Sequence, residues 1–184
     1  MGGVSIKLEG IGEVDKALRQ LEDDFGQKES AKRVLVPAVR EALQPVLRQA
    51  IANAPKDTGG LALSLQIEAR RPTSRDRRSK YINSTDTVIG AITTASAKKL
   101  ARMSEGKGLL SARRKLKKLG FENAEAFKGV ASDARAIAQE FGTARNPATP
   151  FLRPALEANA QATVNRLAVI LQRRINEFRS KQKL

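Results

Sequence analysis

Ala54-Pro55-Lys56-Asp57-Thr58-Gly59-Gly60-Leu61, running on through Ala62-Leu63-Ser64-Leu65-Gln66-Ile67-Glu68, is the stretch whose reading decides the fold. Its first half holds residues that stop helices and make turns: Pro55 cannot continue a helix, and Gly59-Gly60 can enter left-handed backbone at little cost. Its second half places Leu61, Leu63, Leu65 and Ile67 at every other position, with Ala62, Ser64, Gln66 and Glu68 between them. That alternation predicts a strand with one buried and one wet face. An antiparallel partner is expected within Tyr81–Thr94, most buried at Val88-Ile89-Gly90-Ala91-Ile92. It follows a polar, basic and flexible loop from Arg70 to Lys80.

Helical patterns lie on both sides of this hairpin. Upstream, Val4, Ile6 and Leu8 suggest a short strand, and Val14, Leu18, Leu21 and Phe25 recur at helical spacing. A second helix is expected over Ser30–Asn53, with Leu35, Val39, Ala42, Leu43, Val46, Leu47, Ala50 and Ile51 as its apolar stripe. Pro37 and Pro45 predict a start, a kink, or both, inside it. Downstream, Ser96–Val130 is strongly basic, yet Leu109, Ala112, Leu116 and Leu119 share one helical face. It reads as an amphipathic helix broken near Gly106-Lys107-Gly108 and ended by Gly120, followed by a short helix around Asn123–Lys128.

Ser132 or Asp133 should cap a further helix, with Ala134, Ile137, Ala138 and Phe141 on one face and Gly142 just past its end. From Phe151 to about Ser180 a long helix is expected, on the order of 40 Å in length. Its near-heptad stripe is Leu156, Ala160, Val164, Leu167, Leu171, Ile175 and Phe178, and part of it is a candidate for packing on a neighbouring molecule. The expected fold class is therefore α+β: a small antiparallel sheet packed against long helices, within a single domain over residues 1–184. Residues 96–130 form a basic helical insertion in it and residues 150–180 its long C-terminal helix.

Composition narrows the chemistry. The chain has neither cysteine nor histidine, so disulfides, thiolate metal sites and Ser-His or Cys-His nucleophiles are excluded. No metal site and no cofactor is expected, and the reading is non-enzymatic. Thirty-four basic against nineteen acidic residues give a formal charge of +15, which favours an anionic partner. One tyrosine, six phenylalanines and no tryptophan are too few for a base-stacking platform. No run approaches the roughly 20 apolar residues of a membrane span, and no membrane partner is expected.

The motifs carry shape more than reactivity. In Asp57-Thr58-Gly59-Gly60 the side chains of Asp57 or Thr58 can bond the next amides; a phosphate cradle is disfavoured because the loop should open a strand, not a helix. In Glu140-Phe141-Gly142-Thr143, Phe141 is expected to plug the core and Glu140 to pair with Arg145 or Arg153. A lone carboxylate is weak evidence for a general base. In Pro150-Phe151-Leu152-Arg153-Pro154-Ala155, Pro154 fits the first helical turn, Phe151 and Leu152 anchor it, and Arg153 is surplus to a core-entry motif. Lys98, Lys99, Arg102, Arg113, Arg114, Lys117 and Lys118 are candidate contacts for an anionic partner.

The order strand ending in glycine, helix, helix, Ala54-Pro55-x-x-Thr58-Gly59-x-Leu61, strand, strand, Glu140-Phe141-Gly142-Thr143, Pro150-Phe151-Leu152-Arg153-Pro154-Ala155, long helix resembles the head–tail joining, or tail-completion, family of long-tailed phages. The resemblance covers most of residues 4–165 by order and is specific at 54–61 and 140–155; the basic stretch at 96–130 departs from it. It implies a non-enzymatic virion protein of the neck, present in the host cytoplasm during assembly. The family's place at the tail end implies a homo-oligomeric, hexameric ring that meets head-closure or connector proteins and the tail terminator or tail tube. The DNA end or the tape-measure protein are further candidate partners. Asp57, Thr58, Gly59, Leu61, Glu140, Phe141, Gly142, Thr143, Phe151, Arg153 and Pro154 would be its structural or interface residues. The rival reading is a basic protein that binds nucleic acid without sequence preference.

Overall fold

The computed structural model describes residues 16, 19, 22–23, 30–55, 59–95, 99, 101–102, 105–121, 123 and 133–182. The expected strand at Val4–Leu8, the tip of the turn at Asp57 and Thr58, and most of the expected helix around Asn123–Lys128 lie outside them. Of the expected helix over residues 14–25, residues 16, 19, 22 and 23 are described and helical. The fold is α+β, with a two-stranded antiparallel sheet and several helices. The chain divides into two compact units: Met1–Gln44 with Glu68–Ala91 and Asn159–Leu184, and Pro45–Ile67 with Ile92–Ala158.

The segment expected as one helix from Ser30 to Asn53 is built in three pieces. A π-helical turn, Ala31–Leu35, leads into α1 (Val36–Ala42), and α2 (Gln44–Asn53) follows after a break at Leu43. Both prolines act as expected. Pro37 and Pro45 each lie in the first turn of their helix, where a missing amide costs nothing, and each disturbs the turn before it. The residues buried along this path are Ser30, Val34, Ala38, Ala42, Val46, Ala50 and Ala54, each four apart. The larger Leu35, Val39, Leu43, Leu47 and Ile51 of the expected stripe are only half-buried beside them. Small residues take the centre of the line because they let another helix come close.

In the first unit that other helix is the C-terminal part of α6 (Leu152–Gln182). Val34, Ala38 and Ala42 pack with Ile170, Leu171 and Ile175, flanked by Leu35, Leu167 and Phe178. At the edge of this seam the Glu41 carboxylate accepts hydrogen bonds from Arg173 Nη2 at 2.6 Å and Arg174 Nη2 at 2.7 Å. These two guanidinium bonds hold its pKa below the ordinary glutamate value.

The sheet joins β1 (Leu65–Arg70) to β2 (Ile89–Thr94). Two strands alone are marginal in water and rely on helix packing. In the first unit β2 meets α1 and its end through Gly90: an added Cβ there would overlap Val39 Cγ1 and lie 2.9 Å from Leu43 Cδ1. Gly90→Ala forces Val39 and Leu43 to shift, and we expect a loss of about 1–3 kcal/mol, read from the urea midpoint. The stretch expected to be most buried, Val88–Ile92, is at most half-buried, with Gly90 and Ala91 exposed; the buried residue lies further on, at Ala95.

The basic connection from Arg70 to Lys80 is structured rather than loose. Arg70 pairs with both Glu68 and Asp76, Thr73 donates to Asp76, and a 3₁₀ turn covers Asp76–Arg78. The Arg77 guanidinium donates to the carbonyls of Asn83 at 2.9 Å and Ser84 at 2.6 Å, closing the loop. Two of its arginines are therefore engaged inside the fold.

The second unit contains α2, a one-turn helix α3 (Gly60–Ser64), α4 (Gly106–Lys118), α5 (Asp133–Phe141) and the first turns of α6. Its buried apolar residues include Val46, Ala50, Leu63, Leu116, Phe121, Ala136, Phe151 and Ala155. The expected strand over Leu61–Glu68 is corrected at its start: Gly60–Ser64 is helical and the strand opens only at Leu65. Ala62, Leu63 and Ser64 are all buried, so this segment has no wet face for a strand to present. Ser64 Oγ donates to the Leu61 carbonyl at 2.6 Å, satisfying itself within the turn.

α4 is the expected basic amphipathic helix, ending beside Gly120. Ala112 and Leu116 are buried, Leu109 is half-buried and Leu119 is exposed. With Leu116 wholly inaccessible, the basic segment is rooted in the core of its unit.

Candidate functional site

α5 turns a different face inward from the one its apolar residues suggested. Ala136 and Glu140, one turn apart, are buried, whereas Ile137 is 59% and Phe141 64% exposed; of Ala134 only the backbone is described. Phe141 does not plug the core. The reason lies eleven to thirteen residues downstream, where α6 begins with free backbone amides.

Glu140 satisfies them. Its Oε2 accepts from the backbone N–H of Phe151 at 2.8 Å and of Leu152 at 2.9 Å. Its Oε1 accepts from the backbone N–H of Arg153 at 3.1 Å and from Arg153 Nε at 3.0 Å. Arg153 Nη2 donates back to the Glu140 carbonyl at 3.0 Å. A carboxylate at a helix N-terminus is favoured by the helix dipole as well as by these bonds. The helix start is thus capped by a residue from another helix. Burial pushes the Glu140 carboxyl up, but the amides of Leu152, Phe151 and Arg153 and the Arg153 guanidinium outweigh it, leaving the pKa below the ordinary value.

The surrounding motif residues serve this cap. Phe151 is fully buried under it, and Pro154 stands exposed in the first turn of α6. The Arg153 guanidinium carbon lies 5.0 Å from the centre of the Phe141 ring, so the exposed phenylalanine carries a cation on its face. Gly142 N–H bonds to the Ala138 carbonyl at 2.8 Å, ending α5. Thr143 bonds across the following turn, its N–H to the Asn146 carbonyl at 2.8 Å and its Oγ1 accepting the Asn146 N–H at 3.1 Å. Gln139 binds Thr149 through both its carbonyl and its side chain. Of the two arginines expected to pair with Glu140, Arg153 does so.

Chemically the arrangement is a clamp. Both carboxylate oxygens already accept two hydrogen bonds, and the lowered pKa makes Glu140 a poor proton acceptor at neutral pH.

The 54–61 motif meets a different neighbour. Gly59, at φ +74°, lies against Leu116 and Phe121, and Leu61 is half-buried. The loop opens a helical turn instead of the expected strand, but apolar side chains occupy the space beside Gly59. Asp57 and Thr58 lie outside the described residues.

Of the basic candidates, Lys98 lies outside the described residues. Lys99 Nζ donates to Gln66 Oε1 at 2.9 Å, and Arg102 is helical and exposed. Arg113 is half-buried, while Arg114, Lys117 and Lys118 are exposed. The structure adds Lys107 and Lys115 to their outer surface. The signal for Lys107 was in the sequence, since 107, 114 and 118 are spaced i, i+7 and i+11 on one helical face.

Among the described residues no group of three or more acidic, cysteine or histidine side chains is placed to hold a metal ion, and no helix is long and apolar enough to cross a membrane. No family model matches the chain, and neither a curated protein nor a solved structure does so.

Proposed function

We propose that the chain is a structural, ring-forming subunit of a phage neck, completing the tail and joining it to the filled head. The supporting observation is the surface built on the Glu140 cap. Ile137 and Phe141 stand one turn apart on α5, Arg153 lies over Phe141, and Leu156, 53% exposed, follows one turn later on α6. Large apolar side chains left in water on a firmly braced backbone are the usual mark of a protein-docking surface. The order and spacing of the motifs supply the resemblance to the tail-completion family, and rotational symmetry would close identical contacts into a ring. Head-closure proteins and the tail tube or terminator are the proposed partners on its two faces.

The test is assembly of the purified chain and its presence in particles. We expect a closed oligomer by native mass spectrometry and the polypeptide in the connector region of purified virions. The double substitution Ile137→Ser with Phe141→Ser, at exposed positions, should leave circular dichroism unchanged and weaken self-association by about 30-fold or more. Particles lacking the polypeptide, or an oligomer indifferent to both changes, would overturn the reading.

A further inference from the structure

We propose that the outer face of α4 binds the phosphodiester backbone of nucleic acid without reading its sequence. The helix Gly106–Lys118 carries Lys107, Arg113, Arg114, Lys115, Lys117 and Lys118 and no acidic residue. Its buried face is set by Ala112 and Leu116, which turns Lys107, Arg114 and Lys118 together to the opposite side, with Lys115 beside them. These four are exposed, and among the described residues no side-chain hydrogen bond or ion pair engages them. Because Leu116 is fixed in the core and Phe121 N–H bonds its carbonyl at 3.1 Å, the face is held by packing rather than left to a free segment.

Two features favour a phosphate backbone over an acidic protein. The face is dominated by lysine, which is depleted at protein–protein interfaces but serves phosphates as a mobile point charge. It also lacks the interspersed opposite charges that give a protein contact its register. Length is compatible: from Lys107 to Lys118 the helix rises about 16 Å, alongside about five phosphates of one strand at about 3.4 Å each. No base-reading group stands on this face, so affinity should be indifferent to sequence. This inference does not depend on the ring reading, since it concerns a different helix and a different chemistry.

The experiment titrates a fluorescent random-sequence duplex with the full-length chain at 50, 100 and 200 mM KCl. With four phosphate contacts the log–log salt slope should be about −3.6, an affinity loss of about 150-fold across that range. Lys107→Gln/Arg114→Gln/Lys118→Gln should flatten the slope to about −0.9, a loss of only about 3- to 4-fold. The charge-matched control Arg71→Gln/Arg75→Gln/Arg78→Gln, at exposed positions in the other unit, should keep the steep slope. Circular dichroism and thermal midpoint verify that both variants fold. Equal flattening by the two variants, no binding at 50 mM KCl, or equal binding to poly-glutamate would each overturn the proposal.

Discussion

Glu140→Ala should lower the free energy of unfolding by about 3–5 kcal/mol, because it strips the acceptor from three backbone amides at the buried start of α6, each costing about 1–3 kcal/mol when left unpaired. Glu140 is only 3% exposed, so water cannot readily take its place at the three amides, whereas the half-exposed Arg153 guanidinium can turn to solvent. Glu140→Gln is nearly as informative. Its amide keeps one oxygen but turns an N–H toward two donors, so we expect about 2–4 kcal/mol. Urea denaturation at neutral pH checks both values.

Acid adds an independent check. Because the Glu140 carboxyl lies below its ordinary value of 4.5 in the folded chain, the unfolded chain binds more protons as pH falls into that region. The stabilisation is therefore complete above the unfolded value and is lost as pH drops through the folded one. Glu41, bonded to Arg174 and Arg173, and Asp76, bonded to Arg70 and Thr73, are lowered in the same direction. The wild-type chain should lose stability steadily below about pH 4.5, and Glu140→Gln should remove part of that slope while Glu41 and Asp76 retain the rest. An unchanged slope in the variant would contradict the geometry of the cap.

Gly59→Ala is expected to cost about 2–5 kcal/mol, from two sources. A left-handed backbone penalises a side chain by about 1–2 kcal/mol, and overpacking adds about 1–3 kcal/mol. Gly59 sits at φ +74°, and an added Cβ would overlap Leu116 Cδ2 and lie 3.1 Å from Phe121 Cδ1. Leu116→Ala alone should cost about 2–5 kcal/mol through the cavity it leaves. Combined, the two changes should cost less than their sum by about 1 kcal/mol or more, because the new methyl enters the space that leucine vacated. Only the backbone strain then remains from the glycine change. Strict additivity in a double-mutant cycle would mean that the turn does not pack on the basic helix.

The elements most legible in the sequence were those fixed by a local chemical prohibition. Pro37, Pro45 and Pro55 lack an amide, and each marks a helix start or end where expected. The basic helix was readable because Ala112 and Leu116 repeat at four-residue spacing among charges. The start of the hairpin misled for a different reason. Leu61, Ala62, Leu63 and Ser64 alternate in size, but Ser64 can bond its own turn and all four avoid full exposure, so period two carried no information there. Glu140 was recognised as a partner for Arg153, yet its burial was not, nor the exposure of Phe141. Three amides from a distant helix start outweigh the preference of a large ring for the interior. No local pattern encodes that contest. The Arg70–Lys80 loop looked featureless because its order comes from guanidinium bonds, not from apolar spacing.

The cap also separates architecture from connection. Where α6 begins is set by a carboxylate reaching across from α5 and by the Gln139–Thr149 bonds, not by the peptide that links the two helices. The exposed residues 144–147 are consequently released from any duty as a strut. They form a span anchored at both banks, where sequence drift, or a short grafted epitope, leaves the first turn of the long helix in the keeping of Glu140 and Gln139.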